Sequence, residues 1–306
     1  MSVTAEREGS AVARTVRDFL DSELAGIDLA GAGRRGDEVR VAGIGTMAPR
    51  SLGSAMLADA FAEESLTLVA DQAYPGPDAL LAASSWDLAL VLSPHKRAVL
   101  PALALASPTT AAAGVADTLL RGGDTVTGVN TNSWAVVAAL RCLVPAGGPE
   151  RVLLLGAGAS ARSTVLGVRR TWPHVQIVCS ARDPSAAGEL AALVDGTTVD
   201  AVDIGDVAPD VVVNSTTWGE TAESEQRPYA FPFADVLRPG RAFFDLNNRR
   251  STLAEQALDR ACAVMSGTLM QVVTHNCRAA MAERLAARGD EPGSADESSE
   301  DGRGQA

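Results

Sequence analysis

Six small residues form a glycine-rich segment near the middle of the chain. They are Gly156, Ala157, Gly158, Ala159, Ser160 and Ala161. The segment reads G-x-G-x-x-A and lies between an apolar strand-like run at 151–155 and a helical pattern at 160–170. The first glycine permits a tight turn, the second lets the backbone approach a pyrophosphate, and the alanine allows close packing of helix on strand. The helix N-terminus offers free N–H groups to phosphate oxygens. The pattern predicts a Rossmann-type dinucleotide-binding turn, with a glycine-rich turn that binds nothing as the alternative.

The residue after the next predicted strand indicates which dinucleotide is bound. That strand covers 175–180 and is followed by Ala181, Arg182 and Asp183. Enzymes that use NAD usually carry an acid here, which binds the ribose 2′-hydroxyl. The planar guanidinium of an arginine instead pairs with the oxygens of a 2′-phosphate. Arg182 therefore predicts NADP(H), Asp183 leaves NAD open, and a solvated loop charge is the alternative reading of Arg182.

Lys96 is the single lysine of the chain, and it follows an apolar strand-like run at 88–92 in the segment Pro94-His95-Lys96. A lysine in a cleft can give or take a hydroxyl proton if its pKa is suitably tuned. This placement favours a catalytic acid or base. A solvated surface lysine is the alternative.

Composition narrows the class of protein. The 306 residues carry a formal net charge of −12, which should repel nucleic acid and anionic membrane surfaces. No Cys/His cluster has the spacing of metal ligands, so no metal site is predicted. The chain has no signal pattern at its start and no apolar run of the roughly 20 residues that cross a bilayer. We therefore expect a cytoplasmic protein that acts on a small molecule.

Short apolar runs alternate with helical patterns, which predicts an α/β fold with mostly parallel sheets. Strands are predicted at 40–44, 66–70, 88–92, 151–155, 175–180, 210–214 and 242–246. Helices are predicted at 5–25, 54–64, 97–106, 133–143, 160–170, 251–262 and 267–287. The break Pro145-Ala146-Gly147-Gly148-Pro149 is the best candidate for a domain joint.

The ordered set of motifs resembles the shikimate dehydrogenase family from about residue 40 to residue 287. In the first half, Ser93-Pro94-His95-Lys96 resembles the end of the family's N-V-T-x-P-x-K segment, and Gly128-Val129-Asn130-Thr131-Asn132 resembles G-x-N-T-D. In the second half, Arg182 lies where the family's N-R-T motif has its arginine, and Asn214 to Gly219 resembles N-x-T-x-x-G. Further along, Phe244-Asp245-Leu246 resembles Y-D-L, and Gly267 to Met270 resembles G-x-x-M.

The resemblance implies two α/β domains around a cleft, a Rossmann-type cofactor domain and an α/β substrate domain. The implied boundaries are a substrate domain at 40–146, completed by 265–287, and an NADP-binding domain at 147–264. Outside the resemblance, the helical pattern near the start predicts an N-terminal helical extension at 1–39, and the acidic composition without large apolar residues predicts a disordered tail at 288–306. The resemblance also implies reversible hydride transfer between NADP(H) and a carbonyl or hydroxyl carbon. The residues implied are Lys96 and Asn132 for catalysis, and Asn214, Thr216 and Gly219 beside the turn for the cofactor.

The positions that would bind substrate differ from the family pattern. The family's Asp partner of the lysine falls on Asn132, and the Asn of its x-V-N-T segment falls on Asp117. Of its two serines that hold the shikimate carboxylate, one is kept as Ser51 and the other becomes Gly53. The remaining replaced positions are Leu90, Leu92, Asn248 and Thr274. Each lost hydrogen bond in a closed site costs about 1–3 kcal/mol, so we expect a small polar substrate other than shikimate.

The candidate substrate-binding residues are Ser51, Arg50, Asp117, Thr274 and His275. Arg50 could bind a carboxylate, or be a surface charge; His275 could face the cleft, or be packed or solvated. Two other functions stay open at this point: true shikimate dehydrogenase activity, and a dinucleotide-binding protein without catalysis. We expect a monomer or a homodimer.

Overall fold

The computed structural model describes residues 3–25, 27, 36–144 and 147–289, and within them the chain forms two six-stranded sheets. The first half of the chain supplies one sheet and the second half supplies the other, as the alternating pattern predicts. Helices cover both sheets, and the last helix returns to the first half. The result is an α/β architecture of two units.

The first sheet is mixed rather than purely parallel. Its strands are β1 (Glu38–Ile44), β2 (Thr67–Tyr74), β3 (Leu88–Val91), β4 (Leu105–Ala106), β5 (Thr118–Gly122) and β6 (Thr125–Val129). Their order is β2-β1-β3-β5-β6-β4, with β5 antiparallel to both of its neighbours. The helices of this half are α1 (Val3–Glu23), α2 (Ala48–Leu52), α3 (Ala55–Glu63), α4 (Pro77–Ala82), α5 (Pro108–Ala113) and α6 (Asn132–Leu143). Every residue of β3 is buried, as expected for a central strand covered on both faces.

The second sheet is parallel throughout. Its strands are β7 (Arg151–Leu155), β8 (Gln176–Ser180), β9 (Thr197–Thr198), β10 (Val211–Asn214), β11 (Ala242–Asp245) and β12 (Ala263–Ser266), in the order β12-β11-β10-β7-β8-β9. The helices of this half are α7 (Ala159–Thr171), α8 (Pro184–Ala192) and α9 (Thr252–Asp259). This strand order reverses direction between β7 and β10, and such a switch point is where doubly wound sheets bind ligands.

The last helix, α10 (Thr268–Gly289), packs against α1, α3 and α6 of the first half. Val273, Cys277 and Met281 on this helix are fully buried in the apolar core that also contains Phe19 and Trp134. The first half is therefore completed by residues from the end of the chain.

Some predictions about the elements are wrong. A helix was expected at 97–106, but the structure has a 3-10 turn at Leu100–Ala102 followed by β4. Pro101 explains the difference, because its missing N–H and its ring oppose an α-helix that begins four residues earlier. The hairpin of β5 and β6 was not predicted at all. The acidic tail was expected to start at residue 288, but α10 continues to Gly289, and residues 290–306 lie outside the described part of the chain.

Candidate active site

The glycine-rich turn connects β7 to α7 as predicted. Gly156 has a φ of +103°, and a Cβ there would lie 3.0 Å from atoms of Ser215 and Thr216. Gly158 is the N-cap of α7, and a Cβ there would meet nothing within 4 Å. Ala161 is fully buried. The three positions thus have, in turn, a backbone with positive φ, open space beside the backbone, and a side chain packed in the core.

The first turn of α7 fits an anionic group. The helix has 13 residues and no acidic side chain in its first turn. Its first N–H groups have no partners within the helix, so they are free to bind phosphate oxygens. The space beside Gly158, the N-cap of this helix, is open, since a Cβ built there would have no atom within 4 Å.

Arg182 and Asp183 follow β8, which lies beside β7. The N–H of Gly156 donates to the carbonyl of Ser180 at 2.8 Å, so the end of β8 borders the turn. Asp183 caps α8, because its carboxylate accepts from the N–H of Ser185 at 2.9 Å. Arg182 is exposed. The Asp183 carboxylate is thus bound to the N-terminus of α8, whereas the Arg182 guanidinium is accessible beside the glycine-rich turn.

The loop after β10 is held in place by Asn214. This fully buried amide donates to Asp245 at 3.0 Å, and its oxygen accepts from the hydroxyls of Thr216 at 2.7 Å and Tyr229 at 3.1 Å. Burial raises the pKa of Asp245. Gly219 has a φ of +93°, and a Cβ there would lie 2.9 Å from the Ser251 side chain. Asn214 and Thr216 therefore stabilise the conformation of the loop that packs against Gly156.

Lys96 lies in the turn after β3 and is only 5% exposed. Its carbonyl accepts from the N–H of Ala116 at 3.0 Å, which fixes the backbone. Its Nζ donates to the hydroxyl of Ser160 at 3.4 Å, in the first turn of α7. Burial lowers the pKa of Lys96, the guanidinium of Arg278 lowers it further, and the carboxylate of Asp117 opposes both. The only lysine of the chain is therefore a buried amine at the border between the two halves.

Asp117 lies beside Lys96, just before β5, and is almost completely buried. Its carboxylate accepts from the N–H of Thr131 at 3.1 Å, from the Thr131 hydroxyl at 2.7 Å and from the Thr118 hydroxyl at 2.9 Å. It also accepts from the backbone N–H of Asn132 at 2.8 Å. Asn132, the predicted partner of Lys96, therefore contacts Asp117 through its backbone N–H.

One face of α10 closes the cluster with Thr274, His275 and Arg278, which are all buried. The Arg278 guanidinium donates to the Thr118 hydroxyl at 3.0 Å and lies 3.8 Å from the Asp117 carboxylate. His275 Nδ1 lies 3.2 Å from the same guanidinium. Burial and the charge of Arg278 lower the pKa of His275 to about 3. The imidazole is thus neutral at neutral pH, with Nδ1 as the acceptor. The Thr274 hydroxyl donates to the carbonyl of Gln271 on its own helix.

Arg50 and Ser51 lie on α2, at the same sheet edge as the Lys96 turn. The N–H of Thr46 donates to the carbonyl of Ser93 at 3.1 Å, which links the loops after β1 and β3. Arg50 is exposed and Ser51 is half-buried, so Arg50 lies outside the buried cluster. A Cβ at Gly53 would meet only the carbonyl of Pro49 at 3.7 Å, so the second serine of the family pattern is missing without a steric reason.

Sequence reasoning missed Arg278. The signal was present, because Arg278 follows Thr274 by four residues and His275 by three, which places all three on one helical face. A buried guanidinium was not considered, since arginine is almost never fully buried without a partner. Asp117 is the partner that makes its burial possible.

Helix α7 also joins the two halves of the molecule. The Asn130 amide donates to the Ser163 hydroxyl at 2.9 Å, and Arg170 donates to the Ser133 hydroxyl at 3.0 Å. Arg170 further pairs with the buried carboxylate of Glu23 at 3.6 Å. The helix whose N-terminus would bind phosphate is thus fixed against the half that carries Lys96.

Among the described residues, no helix is both long and apolar enough to cross a membrane. No group of three or more His, Cys, Asp or Glu side chains in the same part of the chain is arranged to hold a metal ion.

No protein-family model matches the chain. It is similar in sequence to the NADP(+) shikimate dehydrogenase of Moorella thermoacetica, with 30% identity over 191 residues, 58% of this chain and 63% of the relative. The shikimate dehydrogenase of Pelobacter propionicus is 31% identical over 142 residues, 46% of this chain and 51% of the relative. These matches span half to two thirds of the length of the relatives.

Solved structures with the same fold cover more of the chain. Shikimate dehydrogenase from Aquifex aeolicus has a TM-score of 0.70 and 20% identity, over 85% of this chain and 100% of that one. Shikimate 5-dehydrogenase from Thermus thermophilus, in complex with NADP(H) and shikimate, has a TM-score of 0.68 and 22% identity, over 82% and 99%. Quinate dehydrogenase from Corynebacterium glutamicum, in complex with NAD, has a TM-score of 0.68 and 21% identity, over 83% and 99%. In sequence and in its two-domain Rossmann-type fold, the chain is similar to shikimate dehydrogenases.

Proposed function

We propose that this protein is an NADP(H)-dependent oxidoreductase that interconverts a carbonyl and a hydroxyl group on a small polar molecule other than shikimate. The observation that carries the proposal is the 3.4 Å contact between Lys96 Nζ and the hydroxyl of Ser160. It joins a buried amine, able to transfer protons, to the first turn of a helix suited to dinucleotide phosphates.

The residues around the turn fit the dinucleotide. Gly158 leaves space for a pyrophosphate, and Arg182 is exposed where a ribose 2′-phosphate would lie. The curated relatives are named NADP(+) enzymes, which supports the same choice. When bound, the reduced nicotinamide supplies the hydride; the protein supplies the binding site, the orientation and the proton.

We assign to Lys96 the transfer of the proton to and from the substrate oxygen. In the reductive direction its ammonium protonates the oxygen of the substrate as the carbonyl carbon is reduced, and in the oxidative direction the neutral amine removes the hydroxyl proton. Its burial lowers its pKa, so the neutral amine is more accessible near neutral pH than in an exposed lysine. The neutral His275 is a poor acid at that pH, because its pKa is lowered to about 3.

Several features argue against shikimate as the substrate. Leu90 has an apolar side chain that is completely buried in the core, so it cannot make the hydrogen bonds of the Asn that the family has there. Gly53 has no side chain to bind a carboxylate, and the Thr274 hydroxyl donates to its own helix. Each hydrogen bond lost in a closed site costs about 1–3 kcal/mol, so two or three such losses reduce affinity by several powers of ten.

Turnover assays with a panel of small ketones and alcohols test this proposal, with NADPH and NADP(+) as the cofactors and 3-dehydroshikimate and shikimate in the panel. We expect NADP-dependent turnover of at least one other polar compound, and poor turnover of the shikimate pair. Efficient turnover of shikimate would instead establish shikimate dehydrogenase activity. Tight NADPH binding without turnover of any compound would favour the non-catalytic function.

A further inference from the structure

The last residue of α1, Glu23, has a completely buried side chain at a point where four helices meet. One oxygen of its carboxylate accepts from the N–H of Thr109, on α5, at 3.1 Å. The other oxygen accepts from the Thr109 hydroxyl and, at 2.8 Å, from the indole N–H of Trp134 on α6. The guanidinium of Arg170, on α7, lies 3.6 Å from that same oxygen. The proton transfer assigned to Lys96 uses none of these four residues.

Arg170 is the one residue of this group that comes from the second half of the chain. Its guanidinium donates to the hydroxyls of Ser133 at 3.0 Å and Thr109 at 2.8 Å, and it lies 4.0 Å from the centre of the Trp134 ring. Hydrogen bonds to charged groups are stronger than neutral ones, and removing one partner of a buried pair leaves the other without compensation. The C-terminal end of α7 is therefore bound to the first half on several sides.

The opposite end of α7 carries Ser160, whose hydroxyl accepts from Lys96 at 3.4 Å. Ser160 and Arg170 are ten positions apart, which is about 15 Å along an α-helix. Between them, the Asn130 amide donates to the Ser163 hydroxyl at 2.9 Å. Releasing the C-terminal end would let α7 tilt about this middle contact, and the tilt would move Ser160 relative to Lys96.

Helix α1 lies outside the resemblance to shikimate dehydrogenases, which begins at about residue 40. The Aquifex aeolicus enzyme is matched over its whole length by 85% of this chain. The resemblance therefore assigns no role to α1, although this helix packs against α6 and α10.

We propose that Glu23 is a positioning residue, which acts through Arg170 and α7 to keep Ser160 next to Lys96. The N-terminal helix thereby stabilises the contact between the two halves at the catalytic lysine. The consequence for turnover rests on the proposed function, whereas the effect on the surroundings of Lys96 does not.

Lys96 reports on this positioning, because it is the only lysine of the sequence and is only 5% exposed. Acylation by N-hydroxysuccinimide acetate at a fixed pH, followed by peptide mass spectrometry, measures how often the Lys96 amine becomes accessible. Glu23→Gln and Arg170→Gln should each raise the rate of Lys96 acylation by about threefold or more. The double variant should be no faster than the faster single variant, since both changes break the same contact.

Arg169→Gln is the matched control, the same change at the neighbouring position of α7. Arg169 donates to the carbonyls of Pro173 at 2.7 Å and Val175 at 3.0 Å and to that of Val194, which all lie in the second half. This variant loses hydrogen bonds of α7 but keeps those to the first half, so the rate of Lys96 acylation should stay at the wild-type value. Urea unfolding gives the stability of each variant.

Turnover and cofactor binding should also separate. With the preferred substrate, Glu23→Gln and Arg170→Gln should lower kcat by about tenfold or more, because the alignment of the reacting groups is lost. The dissociation constant of NADPH should stay close to the wild-type value, since the glycine-rich turn and Arg182 both lie in the second half. An unchanged kcat in both variants would refute the positioning role in an active enzyme.

The proposal is overturned if folded Glu23→Gln and Arg170→Gln proteins are acylated at the wild-type rate, or if Arg169→Gln raises the rate as much as they do. If Glu23→Gln does not fold, Arg170→Gln decides in the same way. A wild-type protein that turns over no compound would refute the proposed function, and the acylation rates would still decide this inference.

Discussion

The ammonium of Lys96 and the hydroxyl of Ser160 meet at 3.4 Å, although the two residues come from different halves of the molecule. Lys96 follows the third strand of the first sheet, and Ser160 lies in the first turn of the helix that follows the glycine-rich segment. A dinucleotide bound at that helix would thus reach the neighbourhood of the amine.

Replacing Lys96 by Ala should separate chemistry from cofactor binding. We expect turnover to fall by roughly 10²–10⁴-fold, because a proton-transfer group is lost, while the dissociation constant of NADPH changes little. Turnover assays and NADPH fluorescence titrations measure the two effects. Near-normal turnover on the preferred substrate would end the assignment of Lys96 to catalysis.

The two glycines of the turn should respond differently to the same substitution. Gly156→Ala should destabilise the fold by about 1–3 kcal/mol, because it forces a side chain into a left-handed conformation against Ser215 and Thr216. Gly158→Ala should leave unfolding in denaturant nearly unchanged and weaken NADPH binding, since its Cβ would enter open space in front of α7. Equal NADPH affinity in Gly158→Ala and wild type would contradict the predicted position of the pyrophosphate.

Arg182→Ala should change the choice of cofactor. The loss of a charge-assisted contact to the 2′-phosphate should weaken NADPH binding by about 10–100-fold and leave NADH binding nearly unchanged. Asp183→Ala is the neighbouring control, because Asp183 caps α8 and its loss should act on stability. Equal losses of affinity for both cofactors in Arg182→Ala would remove Arg182 from this role.

His275 should make the fold less stable in acid. Its pKa is about 3 in the folded protein and about 6.5 in an unfolded chain, so the unfolded state binds the proton more readily. The contribution of the neutral histidine is complete above pH 6.5 and is lost as the pH falls from there towards 3, by on the order of 2 kcal/mol at pH 5. His275→Gln should flatten this part of the stability curve, as measured by urea unfolding at pH 7.5 and pH 5. Parallel curves for the two proteins would show that another group is responsible.

Glu23→Gln should loosen the contact between α1 and the rest of the molecule. The Glu23 carboxylate accepts from the Trp134 indole at 2.8 Å and pairs with Arg170 at 3.6 Å, and it is completely buried. Neutralising it should reduce the free energy of unfolding by about 2 kcal/mol. Asp18→Asn removes the exposed pair with Arg141 from the same helix and should cost less than about 1 kcal/mol. Similar costs for both variants would contradict a special role of the buried pair.

The sequence predicted the second sheet better than the first, for a physical reason. Strands buried on both faces are continuous apolar runs, as at Arg151–Leu155, and their position follows directly from composition. The hairpin of β5 and β6 was missed although Gly123, with a φ of +58°, marks its two-residue turn. The two-residue strand β4 has no pattern of its own, because it exists only by pairing with β6.

The site was predicted in its parts but not in its arrangement. Lys96 and the glycine-rich turn were identified from local motifs. The contact made by the Lys96 amine depends on how the turn after β3 meets α7, and local sequence carries no such information. Asn132 is the partner expected from the alignment, whereas in the structure the amine contacts the Ser160 hydroxyl at 3.4 Å.

The return of α10 to the first half affects the order in which the protein can assemble during synthesis. The core around Phe19 and Trp134 includes Cys277 and Met281, which the ribosome adds after the whole second sheet. The second half can fold as soon as its own residues have emerged, but the first half must wait for the end of the chain, with its apolar surface incomplete. The early residues are thus the last to reach their final packing, and interrupted synthesis before residue 268 should yield an aggregation-prone fragment.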